Sequence, residues 1–396
     1  MAFSKVSSAW WGPPKKFDAP EEDRRVSWLE LFYDLVYVIA IARITHHLSQ
    51  HLSLESFFEY AALFMLIFWG WLNGSLYHDL HGNEGLRTRL MTLWQMMIIA
   101  ALSITLDHLS PEDYASITVV FMIMQFYITY LWWSVGFYDP SHRKYNLPYT
   151  VLYLISLALM GLSLVLSPAW LKVLVPLIII CNYAPPFISQ FLLRRTNTDL
   201  NLSSSMFERL GLFTIIVFGE LVIGVVNGIG EKEVLDFSAW VDFGLALAVV
   251  FALWWIFFTL VSQREPKNGF LNASLLELLY VPALISLGLI AVSFTSLFVD
   301  NHEAYVSENI FGYAVTIFLI SVSLMIGLLE FPGAFQKIKR PIRVSLLLTA
   351  LLFLIATFFH IEWNVRTYLL GVLILLLAEI TYLNTQYYGI RAKLEE

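Results

Sequence analysis

Val26-Ser-Trp-Leu-Glu-Leu-Phe-Tyr-Asp-Leu-Val-Tyr-Val-Ile-Ala-Ile-Ala42 opens the first long apolar stretch of the chain and carries two carboxylates inside it. Acids are costly in lipid, so Glu30 and Asp34 need a reason to stand there. Four residues apart, they fall on one face of a helix, one turn above the other, and present an acidic stripe to whatever packs against it.

Outward from this stretch, apolar runs recur almost to the C-terminus. Of the 396 residues, 58% are hydrophobic, 16% aromatic and only 14% charged, against about 25% charged in a soluble domain; the mean hydropathy is +0.68. A ~30 Å hydrocarbon core takes roughly 20 helical residues, and twelve runs approach that length: 28–49, 55–77, 89–107, 114–138, 148–167, 170–191, 207–228, 238–262, 274–298, 308–330, 343–360 and 366–388. Lipid requires every backbone group to be paired within its segment, and the runs do not alternate as barrel strands do, so the fold class is an all-α polytopic membrane protein. The first 26 residues hold no apolar run like that of a cleavable signal peptide, so the first span is the expected targeting element. Cys181 is the single cysteine, which rules out an intrachain disulfide and fits a small buried apolar residue.

Lys and Arg set the expected orientation. Lys5, Lys15, Lys16, Arg24 and Arg25 precede the first span, and Arg87/Arg89, Arg143/Lys144, Arg194/Arg195, Arg264/Lys267, Lys337/Lys339/Arg340/Arg343 and Arg391/Lys393 mark every second boundary after it. The opposite boundaries hold Lys172, Lys232 and Arg366. The positive-inside rule then puts both termini in the cytoplasm and requires an even number of spans. Trp10, Trp11, Trp132, Trp133 and Trp363 are expected in the interfacial belts.

The polar connection from Arg194 to Ser205 divides six spans from six. The expected organisation is a cytoplasmic tail (1–26), a first half (27–193), a linker (194–206), a second half (207–388) and a C-terminal tail (389–396). Glu208-Arg-Leu-Gly-Leu-Phe-Thr-Ile-Ile-Val-Phe-Gly-Glu220 opens the second half with an acid, as Glu30 opens the first, and each opening is followed by a tryptophan-rich span, Phe68-Trp-Gly-Trp71 or Leu253-Trp-Trp-Ile256. Any repeat would be parallel. Gly70-Trp-Leu-Asn-Gly74 and Gly224-Val-Val-Asn-Gly228 suit close helix approach, with Asn73 and Asn227 available for interhelical hydrogen bonds, and suggest a packed centre of spans 1, 2, 7 and 8.

Glu220 lies about twelve residues into its span, ~18 Å along the axis and near the bilayer midplane. An acid there is protonated, paired or facing water, and each state couples to a moving cation or proton; a protonated Glu locking two helices together is the structural alternative. Glu30, Asp34, Glu208 and Arg209 lie nearer the cytoplasmic side, where an ion pair to Arg209 is either a gate or a clamp. Glu379 fits a second proton site or a packing residue, and Asp242 and Glu277 are further acids in or near spans. His46, His47 and His51 fit an interface, and His78 and His81 lack the further ligands a metal needs. No cofactor, metal or nucleic-acid motif is present, nor a P-loop, GxSxG or HExxH in a usable context.

The stretches Val26–Ala42 and Phe207-Glu-Arg-Leu-Gly-Leu-Phe-Thr-Ile-Ile-Val-Phe-Gly-Glu-Leu-Val222 together resemble the bacterial low temperature requirement A family, and the resemblance runs from about Val26 to the last span. It implies a multi-pass protein of the bacterial inner membrane linked to growth in the cold, with the family's acidic motif positions at Glu30, Asp34, Glu208 and Glu220 and Arg209 beside them. The chain departs from the family pattern at Leu80-His81-Gly82, where an Arg-Phe segment is more usual, and at Leu279-Tyr-Val-Pro282, which lacks the His often found before Leu-Pro. The expected function is a transporter or channel-like permease whose intramembrane carboxylates handle a small cation or protons within the lipid bilayer. The alternatives are a membrane enzyme or lipid-handling protein using the same acids in acid–base chemistry, and a non-catalytic scaffold or sensor.

Overall fold

The computed structural model describes residues 26–82, 85–107, 114–138, 143–193, 203–232, 234–262, 264–298, 302–331, 333–359 and 364–395. The expected N-terminal tail up to residue 25, most of the linker, Trp10, Trp11 and Trp363 lie outside them.

Thirteen α-helices make up the described chain: α1 (Trp28–Gln50), α2 (Leu54–His81), α3 (Leu86–Leu106), α4 (Tyr114–Tyr138), α5 (Arg143–Ser163), α6 (Leu171–Tyr183), α7 (Pro185–Leu193), α8 (Ser204–Gly230), α9 (Phe237–Phe257), α10 (Phe270–Leu297), α11 (His302–Leu328), α12 (Gln336–Phe358) and α13 (Val365–Glu395). Among the described residues ten helices are long and apolar enough to cross a membrane, or eleven if one bent pair is a single span. That pair corrects the sixth run: it breaks at Ala184, and its arms, Pro168–Tyr183 and Pro185–Phe191, meet at 48°. Pro185 and Pro186 explain the break, since neither can donate to the preceding turn. With 23 residues, α1 has a span's length but carries Glu30, Asp34 and Arg43.

The chain divides into two compact units, residues 1–209 and 210–396, with the boundary inside α8. In the first, α1 packs on α2 and α3, α4 on α5, and α5 on α6 and α7. In the second, α11 packs between α10 and α12, and α13 lies against α9 and α12. Burial follows this order: 72% of the apolar window of α10 is buried but only 28% of that containing α12. The outward face of α12 bears Leu347, Leu348, Leu351, Leu352 and Ile355, apolar side chains suited to lipid.

The two sequence-similar openings occupy different surroundings. Trp69 and Trp71 are core residues, whereas Trp254 and Trp255 are exposed. A Cβ on Gly74 would fall 2.3 Å from the Tyr33 hydroxyl, so this glycine makes room for side chains; one on Gly224 or Gly228 would fall 2.3 or 2.2 Å from the backbone carbonyls of Ala291 or Phe294, so these bring α8 against the backbone of α10. The close approach of the second pair is therefore to the ninth run rather than the eighth. Two smaller expectations also change. Trp132 is fully buried and stacks on Tyr149 at 4.5 Å, since adjacent helical residues point about 100° apart and only Trp133 faces out. Cys181 is half-buried rather than buried.

Candidate functional site

Ser27 caps α1 through a reciprocal box: its hydroxyl accepts from the Glu30 backbone N–H, while its own N–H donates to Glu30 Oε2 at 2.8 Å. This arrangement satisfies two amides at the helix start and fixes the Glu30 carboxylate at the positive end of the helix dipole. One turn on, Asp34 is 1% exposed. Its Oδ1 accepts from the Trp71 indole at 2.7 Å and from Arg209 Nη2 at 2.6 Å, while Arg209 Nε reaches Oδ2 at 3.5 Å. Arg209, also 1% exposed, holds Glu30 Oε1 at 3.7 Å from Nη1 and lies over the rings of Tyr33 and Trp71 at 5.5 and 5.7 Å. Of the acids and the arginine singled out in these two openings, Glu30, Asp34 and Arg209 are brought together within the first unit. A buried pair of this kind survives when donors surround the carboxylate and aromatic faces surround the cation.

Behind it runs a buried polar chain. The Tyr33 hydroxyl donates to that of Tyr37 at 3.2 Å, and Gln95 Nε2 donates to the Tyr37 hydroxyl and to the Gly70 carbonyl, both at 3.0 Å. Asn73 belongs to a separate contact: it donates to the Trp69 carbonyl and accepts from the Tyr153 hydroxyl at 2.6 Å. His78 shares a hydrogen bond with Thr92 at 2.8 Å. Among the described residues no three His, Cys, Asp or Glu side chains gather as a metal site requires.

Glu220 belongs to the second unit. It is 5% exposed, and its carboxylate makes no hydrogen bond or ion pair with a described residue. Gly224 and Gly228, on the same helix face one and two turns on, are the residues that meet α10. The other acids of this unit fare differently. Glu379 accepts from Ser345 at 2.7 Å and Thr349 at 2.9 Å, which makes it a packing residue between α12 and α13. Asp242 pairs with Lys232 at 3.1 Å and Arg366 at 2.9 Å. Glu208 and Asn227 are exposed and join neither cluster.

A model of the Bacterial low temperature requirement A protein matches residues 25–381. The chain belongs to this family. A low temperature requirement A chain of this kind is a multi-pass helical membrane protein, and both the α1 acids and the α8 acids fall within the matched region. The chain is also similar to Uncharacterized protein RA0937 of Rhizobium meliloti (strain 1021), 23% identical over 259 residues, which cover 63% of this chain and 62% of that protein.

Sequence reasoning reached the charged members of the first cluster but missed Ser27, Trp71, Tyr33, Tyr37 and Gln95. Ser27-Trp-Leu-Glu30 carries the capping-box spacing in plain view. Trp71 gives no such signal, being 37 residues from the acid it bonds.

Proposed function

We propose that this protein is a transporter or channel-like permease for a small cation or protons, with Glu220 as its ion-binding carboxylate. The observation that carries this reading is the contrast among the buried acids: Asp34, Asp242 and Glu379 each have donors in place, while Glu220 has none among the described residues. An intramembrane carboxylate without a donor binds a proton or a cation when either arrives. Glu30, Asp34 and Arg209 then form a clamp rather than a gate, because Asp34 Oδ1 already takes two donors and Glu30 is committed to its own helix start.

The same reading counts α1 and the bent pair as spans, which gives twelve, in two six-span halves in a bacterial inner membrane with both termini cytoplasmic. Charge pairing supports the orientation. Lys232 and Arg366, two of the three basic residues at the opposite boundaries, share Asp242, and Arg43 pairs with Asp107. The test is proton and alkali-cation flux in proteoliposomes, wild type against Glu220→Gln, with flux lost in the variant as the expected result.

A further inference from the structure

Four cations gather at one end of the second unit. The connection from α9 to α10 is zipped to the end of α11: Pro266 bridges Leu329, Lys267 N–H donates to the Leu328 carbonyl at 2.8 Å, and Glu330 N–H donates to the Glu265 carbonyl at 2.8 Å. Phe331 follows directly and is buried. The Arg264 guanidinium lies 3.8 Å from the centre of its ring and the Lys339 ammonium 5.5 Å from it. Lys267 and Arg343 lie close enough to Lys339 to repel its charge.

Part of this arrangement is helix capping. Lys339 donates to the carbonyls of Leu329 at 2.7 Å and Gly327 at 3.3 Å, and Arg343 Nε donates to the Ser323 carbonyl at 2.9 Å. Gly327 lies against the Arg343 guanidinium, where a Cβ would stand at ordinary contact, 3.4 Å away. Capping, however, needs one cation rather than four. Among the described residues none of Arg264, Lys267, Lys339 and Arg343 makes an ion pair, and Arg264 Nε is buried without any hydrogen-bond partner. Burial lowers the Arg264 guanidinium from its ordinary value, with Tyr387 acting the other way. Glu330 is the acid that acts on Lys339, and it is exposed.

Like charges held together on an ordered aromatic platform, with Arg264 Nε unspent and no ion pair to any of the four among the described residues, call for an anion with several oxygens. The location, where α10, α11 and α12 begin or end, is the depth of lipid head groups. We propose that Arg264, Lys267, Lys339 and Arg343 form a binding site for a phosphate group, that of an anionic phospholipid. The site is independent of the transport reading.

The test uses the full chain, purified in a neutral detergent, with its melting followed as phosphatidylglycerol, phosphatidylcholine of matched chains, or inorganic phosphate is added. Phosphatidylglycerol raises the melting temperature saturably and phosphatidylcholine does not. The double variant Arg264→Gln/Lys267→Gln needs at least tenfold more phosphatidylglycerol for half the shift, measured from its own melting temperature without lipid. Lys267→Gln alone, at an exposed position that caps nothing, serves if the double variant fails to fold, and it weakens binding in the same direction. An equal shift from inorganic phosphate at the same concentration overturns the lipid as the source and supports the phosphate site. Equal shifts from the two lipids, or a shift that neither variant weakens, overturn the site.

Discussion

Arg209 Nη2 lies 2.6 Å from Asp34 Oδ1, and both side chains are 1% exposed. Neither charge has water to fall back on, so the loss of either costs more than the pair itself is worth. Removing one partner of a buried pair costs roughly 3–5 kcal/mol, because the other is left uncompensated. Asp34→Asn therefore lowers the melting temperature strongly or abolishes recovery of folded protein. The double variant Asp34→Asn/Arg209→Met regains most of that loss. Melting of the two variants side by side decides the matter, and a double variant no better than the single would contradict the pairing.

Trp71→Phe keeps a ring beside Arg209 but removes the donor to Asp34. Leaving a buried carboxylate short of a donor costs about 1–3 kcal/mol. The expected loss is smaller than for Asp34→Asn, and chemical denaturation in mixed micelles measures it. Glu30→Gln costs less again, of the order of a helix cap, about 1 kcal/mol.

The glycines of α8 separate backbone crowding from open space. A Cβ at Gly224 or Gly228 runs into a carbonyl of α10 that cannot swing aside, while at Gly219 nothing lies within 4 Å. Gly224→Ala and Gly228→Ala are each expected to destabilise strongly, and Gly219→Ala to be neutral or slightly stabilising. Gly70→Ala is tolerated, because its nearest neighbour would be 3.5 Å away. Yields of monodisperse protein for the four variants rank them.

Asp242 carries two ion pairs, yet its partners Lys232 and Arg366 are 26% and 39% exposed. Exposed pairs contribute about 0–1 kcal/mol each. Asp242→Asn is accordingly a mild variant in detergent at moderate salt, in contrast to Asp34→Asn. A loss as large as that of Asp34→Asn would show that α9 and α13 depend on this contact far more than its exposure implies.

Run length alone made most of the helices legible, because lipid leaves a long apolar segment few other conformations. Helices or the bent pair lie over all twelve apolar runs, although ten or eleven qualify as spans by length and apolarity. The break at Ala184 was legible in Pro185-Pro186 and went unread. What sequence could not show was facing. Trp132 and Trp133 have the same composition and opposite surroundings, and Asn73 and Asn227 occupy the same place in similar motifs, one bonded to Tyr153 and the other exposed. Facing depends on which helices become neighbours, and nothing within a single apolar run encodes that choice.

The most direct test of the account compares two buried acids of the second unit. Proton and alkali-cation flux is measured in proteoliposomes holding wild type, Glu220→Gln or Glu379→Gln. The account predicts flux in wild type, its loss in Glu220→Gln, and its retention in Glu379→Gln, whose carboxylate is already taken by Ser345 and Thr349. Undiminished flux in Glu220→Gln, or none from folded wild-type protein, would contradict it.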